Sequence, residues 1–217
     1  GTGKVLLLLH GNSLSKRIFT RYQLNYFTDF HTLALDSRGH GQSRSIDTEF
    51  SILQYSQDVI NFCKAKGIRQ ASLVGFSDGG NIALLLAKNA PELFTRIVAI
   101  SPNYLVSGTE DIVLWHGRAF YKLFNSLARL GLPFKRIAMR LDLILKDLGV
   151  TDEELRGIRA NIKILYAEME MVKPSHIKKI ASLIPNAELE MIKSSSHLNI
   201  VNQKRTMESI REYLCRE

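Results

Sequence analysis

The strongest constraint on this chain is an alternation. Short apolar runs are separated by longer amphipathic segments along almost its whole length. Val5–Leu9, Thr32–Leu35, Ala71–Phe76, Ile97–Ile100, Ile162–Tyr166 and Ala187–Ile192 are each four to six residues long. Most are continuous enough in apolar residues to be buried on both faces. Between them, Ile52, Val59, Ile60 and Cys63 fall on one face of a helix over residues 50–66, and Ile82, Leu85 and Leu86 on one face over 79–89, with Pro91 just beyond as a stop. Strands alternating with helices predict βαβ units and a mostly parallel sheet flanked by helices, an α/β fold. No apolar run approaches the roughly 20 residues of a membrane span.

One stretch breaks the alternation. From about Asn103 to Arg156 there is no convincing strand, only apolar positions at helical spacing, a break at Gly131-Leu132-Pro133, and a capping-box start at Thr151-Asp152-Glu153-Glu154. The expected organisation is a core made of residues 1–102 and 158–217, with residues 103–157 inserted as a short helical cap. Insertions on such sheets usually cover the ligand crevice at the carboxyl ends of the strands.

Lys plus Arg total 29 against 21 for Asp plus Glu, a net charge of +8. Basic and acidic residues are interspersed, which argues against a nucleic-acid partner. The exception runs from Ile112 to Leu141, which holds no acid but contains Arg118, Lys122, Arg129, Lys135, Arg136 and Arg140, together with Trp115, Phe120, Tyr121, Phe124 and Phe134. The preferred reading is an ordinary solvated basic face over an apolar face packed on the core. A preference for acidic substrates and contact with an anionic membrane are the less favoured alternatives. Cys63 and Cys215 do not form a disulfide framework, and Cys63 reads as a buried small thiol. No signal peptide is visible, so the expected location is cytoplasmic.

The chemistry centres on Gly75-Phe76-Ser77-Asp78-Gly79, a G-x-S-x-G that follows a strand and opens a helix. Glycines flank the serine because the turn is too tight for neighbouring Cβ atoms. The turn lifts the hydroxyl off the sheet and aims the helix N-terminus at a developing oxyanion. Serine needs a base. In this architecture the base follows both the nucleophile and the acid, which leaves His176 and His197 of the six histidines. His176 sits in a helical stretch, where a surface position is expected; His197 follows Ser194-Ser195-Ser196 in a polar loop and is preferred. The orienting acid should follow the strand Ile162–Tyr166, where Glu168 and Glu170 both lie. Extended chain would point the two to the same side, and spacing alone leaves the choice open. Oxyanion donors are expected from the amides of Asp78 and of Asn12 in the His10-Gly11-Asn12 loop after the first strand. His10 reads as a brace for that loop.

Taken in order, His10-Gly11-Asn12, Asp36-Ser37-Arg38-Gly39-His40-Gly41-Gln42-Ser43, Gly75–Gly80 with Asn81-Ile82-Ala83-Leu84, then Glu170 and His197, the sequence resembles the α/β-hydrolase superfamily across all but the inserted helices. The Ser-Asp-Gly-Gly elbow is similar to a branch of small esterase-like hydrolases that includes valacyclovir-hydrolase-like proteins. The resemblance implies a Ser77–His197–Glu170 triad, with Glu170 in the place of the family's usual aspartate. It also implies a structural role for the Asp36–Ser43 run and no metal or organic cofactor. The implied activity is hydrolysis of a small carboxylic ester, or a related acyl compound, through an acyl-enzyme. A lactonase, a C–C bond hydrolase and a non-catalytic ligand receptor are the alternatives on the same fold. The family's sheet commonly has two strands before the one leading into the His-Gly loop. Here that strand begins about four residues in, so the first hairpin is expected to be missing.

Overall fold

A computed structural model describes residues 1–216. Six strands, β1 (Val5–Leu9), β2 (His31–Leu35), β3 (Ala71–Phe76), β4 (Phe94–Ile100), β5 (Asn161–Met169) and β6 (Ala187–Ser196), form one sheet. Their order is β2-β1-β3-β4-β5-β6, and every neighbouring pair is parallel. The expected runs are all strands, and the last three extend beyond the apolar stretches that signalled them. β6 continues through the serines to Ser196. His197 therefore sits in the turn just past the last strand, as expected, but the serines before it are strand and not loop.

Successive residues of β1 point to opposite faces, and both faces are covered. Leu7 and Leu9 join Leu73, Ile97 and Ile164 beneath α1 (Ile52–Ala65), α2 (Asp78–Asn89) and α6 (Pro174–Leu183). Leu6 and Leu8 join Val74, Val98 and Ile100 against α7 (Lys204–Leu214) and the residues around a π-helical turn at Tyr22–Tyr26. All four β1 leucines are essentially inaccessible. Each contributes roughly 1.5–3 kcal/mol of burial free energy relative to an exposed side chain. α7 was not anticipated, because its stretch is dominated by charge. Its signal is the spacing of Met207, Ile210, Tyr213 and Leu214, which are all buried.

Between β4 and β5 lie α3 (Asp111–Arg129), α4 (Lys135–Ile144) and the short α5 (Asp152–Arg156). Gly131, at φ +82°, makes the break between the first two. The expected capping box is present at α5: the Thr151 hydroxyl accepts from the Glu154 amide at 3.2 Å, and the Thr151 amide donates to the Glu154 carboxylate at 2.9 Å.

The chain runs from β1 outward to β2, then returns to the other side of β1 as β3. This reversal makes a crevice at the carboxyl ends of β1 and β3, the place where open α/β sheets bind ligands. The loop after β1 and the elbow after β3 both open there.

Candidate active site

Ser77 occupies the turn between β3 and α2 with φ +55° and ψ −115°, a conformation that is strained for a residue with a Cβ. Its amide donates to Ile100 O at 2.8 Å, which anchors the turn to the neighbouring strand. A Cβ on Gly75 would run into the Gly79 carbonyl, and one on Gly79 into the Leu9 carbonyl, so the elbow closes only with glycine at both places. The loop from β1 passes just above: a Cβ at Gly11 would lie 3.0 Å from the Ser77 Cβ.

Ser77 Oγ donates to His197 Nε2 at 3.2 Å. His197 Nδ1 donates in turn to Glu170 Oε1. This assigns the ring proton to Nδ1 and leaves Nε2 as the acceptor facing the serine. The imidazole also packs on Phe76, with ring centroids 5.2 Å apart. The Glu170 side chain is fully inaccessible. Burial alone would raise its carboxyl. The bonds from His197, from Ser101 Oγ at 2.6 Å and from the Ala167 amide at 3.1 Å hold it below the ordinary glutamate range.

Glu168 does not share this environment. It is exposed and accepts from the Ser194 amide at 2.8 Å. The expectation that Glu168 and Glu170 point the same way fails because β5 ends at Met169. Beyond it the backbone turns, so period-two alternation no longer applies.

The amide N–H groups of Asn12 and Asp78 donate to no protein acceptor among the described residues. The two segments that carry them are tied together by side chains. Asn12 Nδ2 donates to Asp78 Oδ2 at 2.9 Å and to the Arg140 carbonyl of α4 at 2.8 Å. Burial pushes the Asp78 carboxyl up to about 6, with the Asn12 bond and the His197 charge pulling the other way.

Two histidines hold the loop after β1 from below. His10 Nε2 accepts from the Ser37 amide at 3.1 Å, and His40 Nε2 accepts from the Ser13 amide at 3.3 Å. Both are buried, which lowers their pKa values, that of His40 to about 4. The Asp36–Ser43 run that carries His40 is a structural loop. Asp36 accepts from the Lys16 and Gln42 amides, and Arg38 pairs with Asp47 and Asp58.

The sequence expectation for His176 is overturned. It is buried, not on the surface, and stacks on Tyr104 with centroids 4.7 Å apart and rings 22° from parallel. It faces Gly108, where a Cβ would strike the imidazole, accepts from the Tyr104 amide at 3.4 Å, and does not line the cavity at Ser77.

A cavity of about 620 Å³ opens above Ser77, bounded by Asn12, Asp78 and His197 on the sheet side. Its walls are largely apolar, with Phe50, Ile52, Leu143, Leu148 and Val172 among them, and Val113 of α3 contributes from the inserted helices. Among the described residues, no group of three or more His, Cys, Asp or Glu side chains lies close enough to hold a metal ion.

Sequence reasoning did not foresee Ser101 or the side chain of Asn12. Ser101 sits immediately after β4 at φ +52°, with its amide on Leu165 O at 2.7 Å. A polar residue at the carboxyl end of a central strand was the only available signal.

The family model for the alpha/beta hydrolase fold matches residues 4–136, more than half of the chain. The 2-(acetamidomethylene)succinate hydrolase of Mesorhizobium japonicum is 22% identical over 247 residues, spanning 99% of this chain and 89% of that protein. Carboxylesterase YbfK of Bacillus subtilis is 23% identical over 239 residues, spanning 97% of this chain and 80% of that protein. Among solved structures, MGS-M2, an alpha/beta hydrolase enzyme from a Medee basin deep-sea metagenome library, superposes with a TM-score of 0.82 at 20% identity, covering 100% of this chain and 90% of that one.

Proposed function

We propose that this chain, which belongs to the α/β-hydrolase family, is a serine hydrolase that cleaves small carboxylic esters with Ser77 as nucleophile, His197 as base and Glu170 as orienting acid. The reading is carried by the hydrogen-bonded relay from Ser77 through His197 to the inaccessible Glu170, at the floor of a cavity that also holds two unpaired amide N–H groups.

In the proposed reaction the substrate carbonyl carbon sits over Ser77 Oγ. His197 Nε2 takes the hydroxyl proton as Oγ bonds to that carbon, and the carbonyl π electrons move onto oxygen. The Asn12 and Asp78 amides receive the oxyanion. One such donor is typically worth about 10²–10³ in rate. Glu170 stabilises the imidazolium without accepting its proton. The imidazolium then protonates the leaving alkoxide as the tetrahedral intermediate collapses. Water, deprotonated by the same nitrogen, releases the carboxylic acid and restores Ser77.

Residues 103–157 act in this scheme as the cap that roofs the cavity and sets which acyl groups fit. The apolar walls favour neutral substrates with hydrocarbon acyl or alkyl groups. Lys146 and Asp147, two charged residues at the wall, are already engaged: Lys146 pairs with Asp142, and Asp147 accepts from the Val106 amide. Carboxylesterase YbfK, a relative by sequence, bears the name of this activity.

The test is a panel of p-nitrophenyl esters of increasing acyl length, run with the wild type and Ser77→Ala. Turnover that falls to background in Ser77→Ala supports the assignment. Undiminished turnover in the variant, or no turnover on any ester, refutes it.

A further inference from the structure

α3 is 19 residues long and has three distinct sides. One side packs on the protein. Leu114 and Gly117 are buried there, and Phe124 reaches Phe134 of the neighbouring turn at 5.3 Å between ring centroids.

The second side faces solvent yet is apolar. Ile112 is 63% exposed, Trp115 64%, Phe120 48% and Leu123 51%, and Leu130, just beyond the last turn, is 77% exposed. With Ala119 they recur at i, i+3, i+7, i+8 and i+11, which makes one continuous stripe along the helix. The basic stretch was expected to cover an apolar face packed on the core, and here the structure differs. The helix has two apolar faces, and only one of them is covered.

The third side flanks the stripe. Arg118, Lys122 and Arg129 recur at i, i+4 and i+11 and so form a row. None of the three, nor Lys135 at the start of α4, makes an ion pair or a side-chain hydrogen bond among the described residues. Arg136 and Arg140 are different. They donate to the Ser45 and Gly39 carbonyls and tie the inserted helices to the core. No acidic residue lies between Ile112 and Leu141 to neutralise the row.

An apolar stripe beside unpaired cations, with a tryptophan in it, matches a helix lying in the plane of a lipid surface. The hydrocarbon side chains enter the acyl boundary and the cations meet headgroup phosphates. A second copy docking symmetrically on this helix would instead bring two unneutralised rows of cations together. We propose that α3 is a peripheral docking surface for anionic lipid. No helix of the described residues is long and apolar enough to cross a membrane, so the contact is surface adsorption. Val113 of the same helix lines the cavity, which makes the docking helix a wall of the site as well.

The protein carries its own probe, since Trp115 is its single tryptophan. The full chain is mixed with phosphatidylcholine vesicles with and without phosphatidylserine, and co-sedimentation and tryptophan emission are recorded at low and high salt. The expected result is co-sedimentation and a blue shift with phosphatidylserine only, weakened by salt. Binding should fall by about tenfold or more in Arg118→Glu/Lys122→Glu and be lost in Leu123→Ser. Turnover of a soluble ester should be unchanged in each variant, which also verifies folding. Three results would overturn the proposal: no shift with either vesicle, equal binding by the charge-reversed variant, or a shift that follows protein concentration without lipid, which would mean self-association. Ser77→Ala should bind vesicles as the wild type does, so failure of this inference is separable from failure of the esterase reading.

Discussion

Asn12 Nδ2 donates to the Asp78 carboxylate at 2.9 Å, joining two segments that lie 66 residues apart in sequence. The same nitrogen donates to the Arg140 carbonyl of α4, so one side chain fixes the loop after β1, the start of α2 and the inserted helices relative to each other. The two amides proposed to receive the oxyanion belong to these same residues. Their spacing is therefore set by a side-chain clamp as well as by the backbone.

Removing the clamp should cost catalysis more than stability. Asn12→Ala keeps both amides but frees their spacing, and kcat should fall about 10- to 100-fold with little change in KM. Steady-state kinetics on a short-chain ester measure this. An unchanged kcat would show that the backbone alone sets the geometry.

Asp78 should make stability depend on pH. Its carboxyl is raised to about 6 by burial, so the folded state binds the proton more tightly than the unfolded state. That contribution is fully present below the unfolded pKa near 4 and is lost as pH rises through about 6. Asp78→Asn removes this loss. Relative to the wild type, its unfolding free energy should gain on the order of 2–3 kcal/mol between pH 4 and pH 7. Urea denaturation across that range reads the difference, and a flat difference would mean that the carboxyl is not desolvated as described.

The buried histidines act in the opposite sense. Burial lowers His40 and His176 to about 4 each, so neither protonates readily in the folded state. Their contribution is present above the unfolded pKa near 6.5 and is lost as pH falls from there through about 4. Wild-type stability should therefore decline in that window despite the gain from Asp78. His176→Gln should show a shallower decline, read as unfolding midpoint against pH.

The acid should separate cleanly from its sequence neighbour. Glu170→Gln removes the charge proposed to hold the imidazolium, and kcat should drop by about 10²-fold or more. Glu168→Gln, on an exposed group bonded to the Ser194 amide, should leave kcat within twofold. Ser101→Ala loses the 2.6 Å bond to Glu170 and should lower kcat about 3- to 10-fold.

Strain at the elbow should appear as stability. Ser77→Gly relieves a positive φ that a Cβ-bearing residue adopts at a cost of about 1–3 kcal/mol, partly offset by glycine's greater freedom in the unfolded chain. The variant should be inactive and about 1 kcal/mol more stable than wild type, by thermal or urea unfolding.

The local features were legible from sequence because local sterics and burial fix them. The uninterrupted leucines of β1 require a strand covered on both faces, and Gly75 and Gly79 around Ser77 require a tight strand-to-helix turn. Thr151 and Glu154 cap α5 within a single turn of chain. The choice between Glu168 and Glu170 had no local answer. It depends on β5 ending at Met169 beside β6, a pairing between segments about 27 residues apart. The burial of His176 depends on α6 meeting Tyr104 from the loop after β4, and the clamp at Asn12 on α4 reaching the loop after β1. The apolar spacing of α3 was readable, but which of its faces would be covered was not. Helical periodicity says which residues share a side of a helix, and only the packing of α4 and the core against one side decided that Trp115 and Leu123 would stay in solvent.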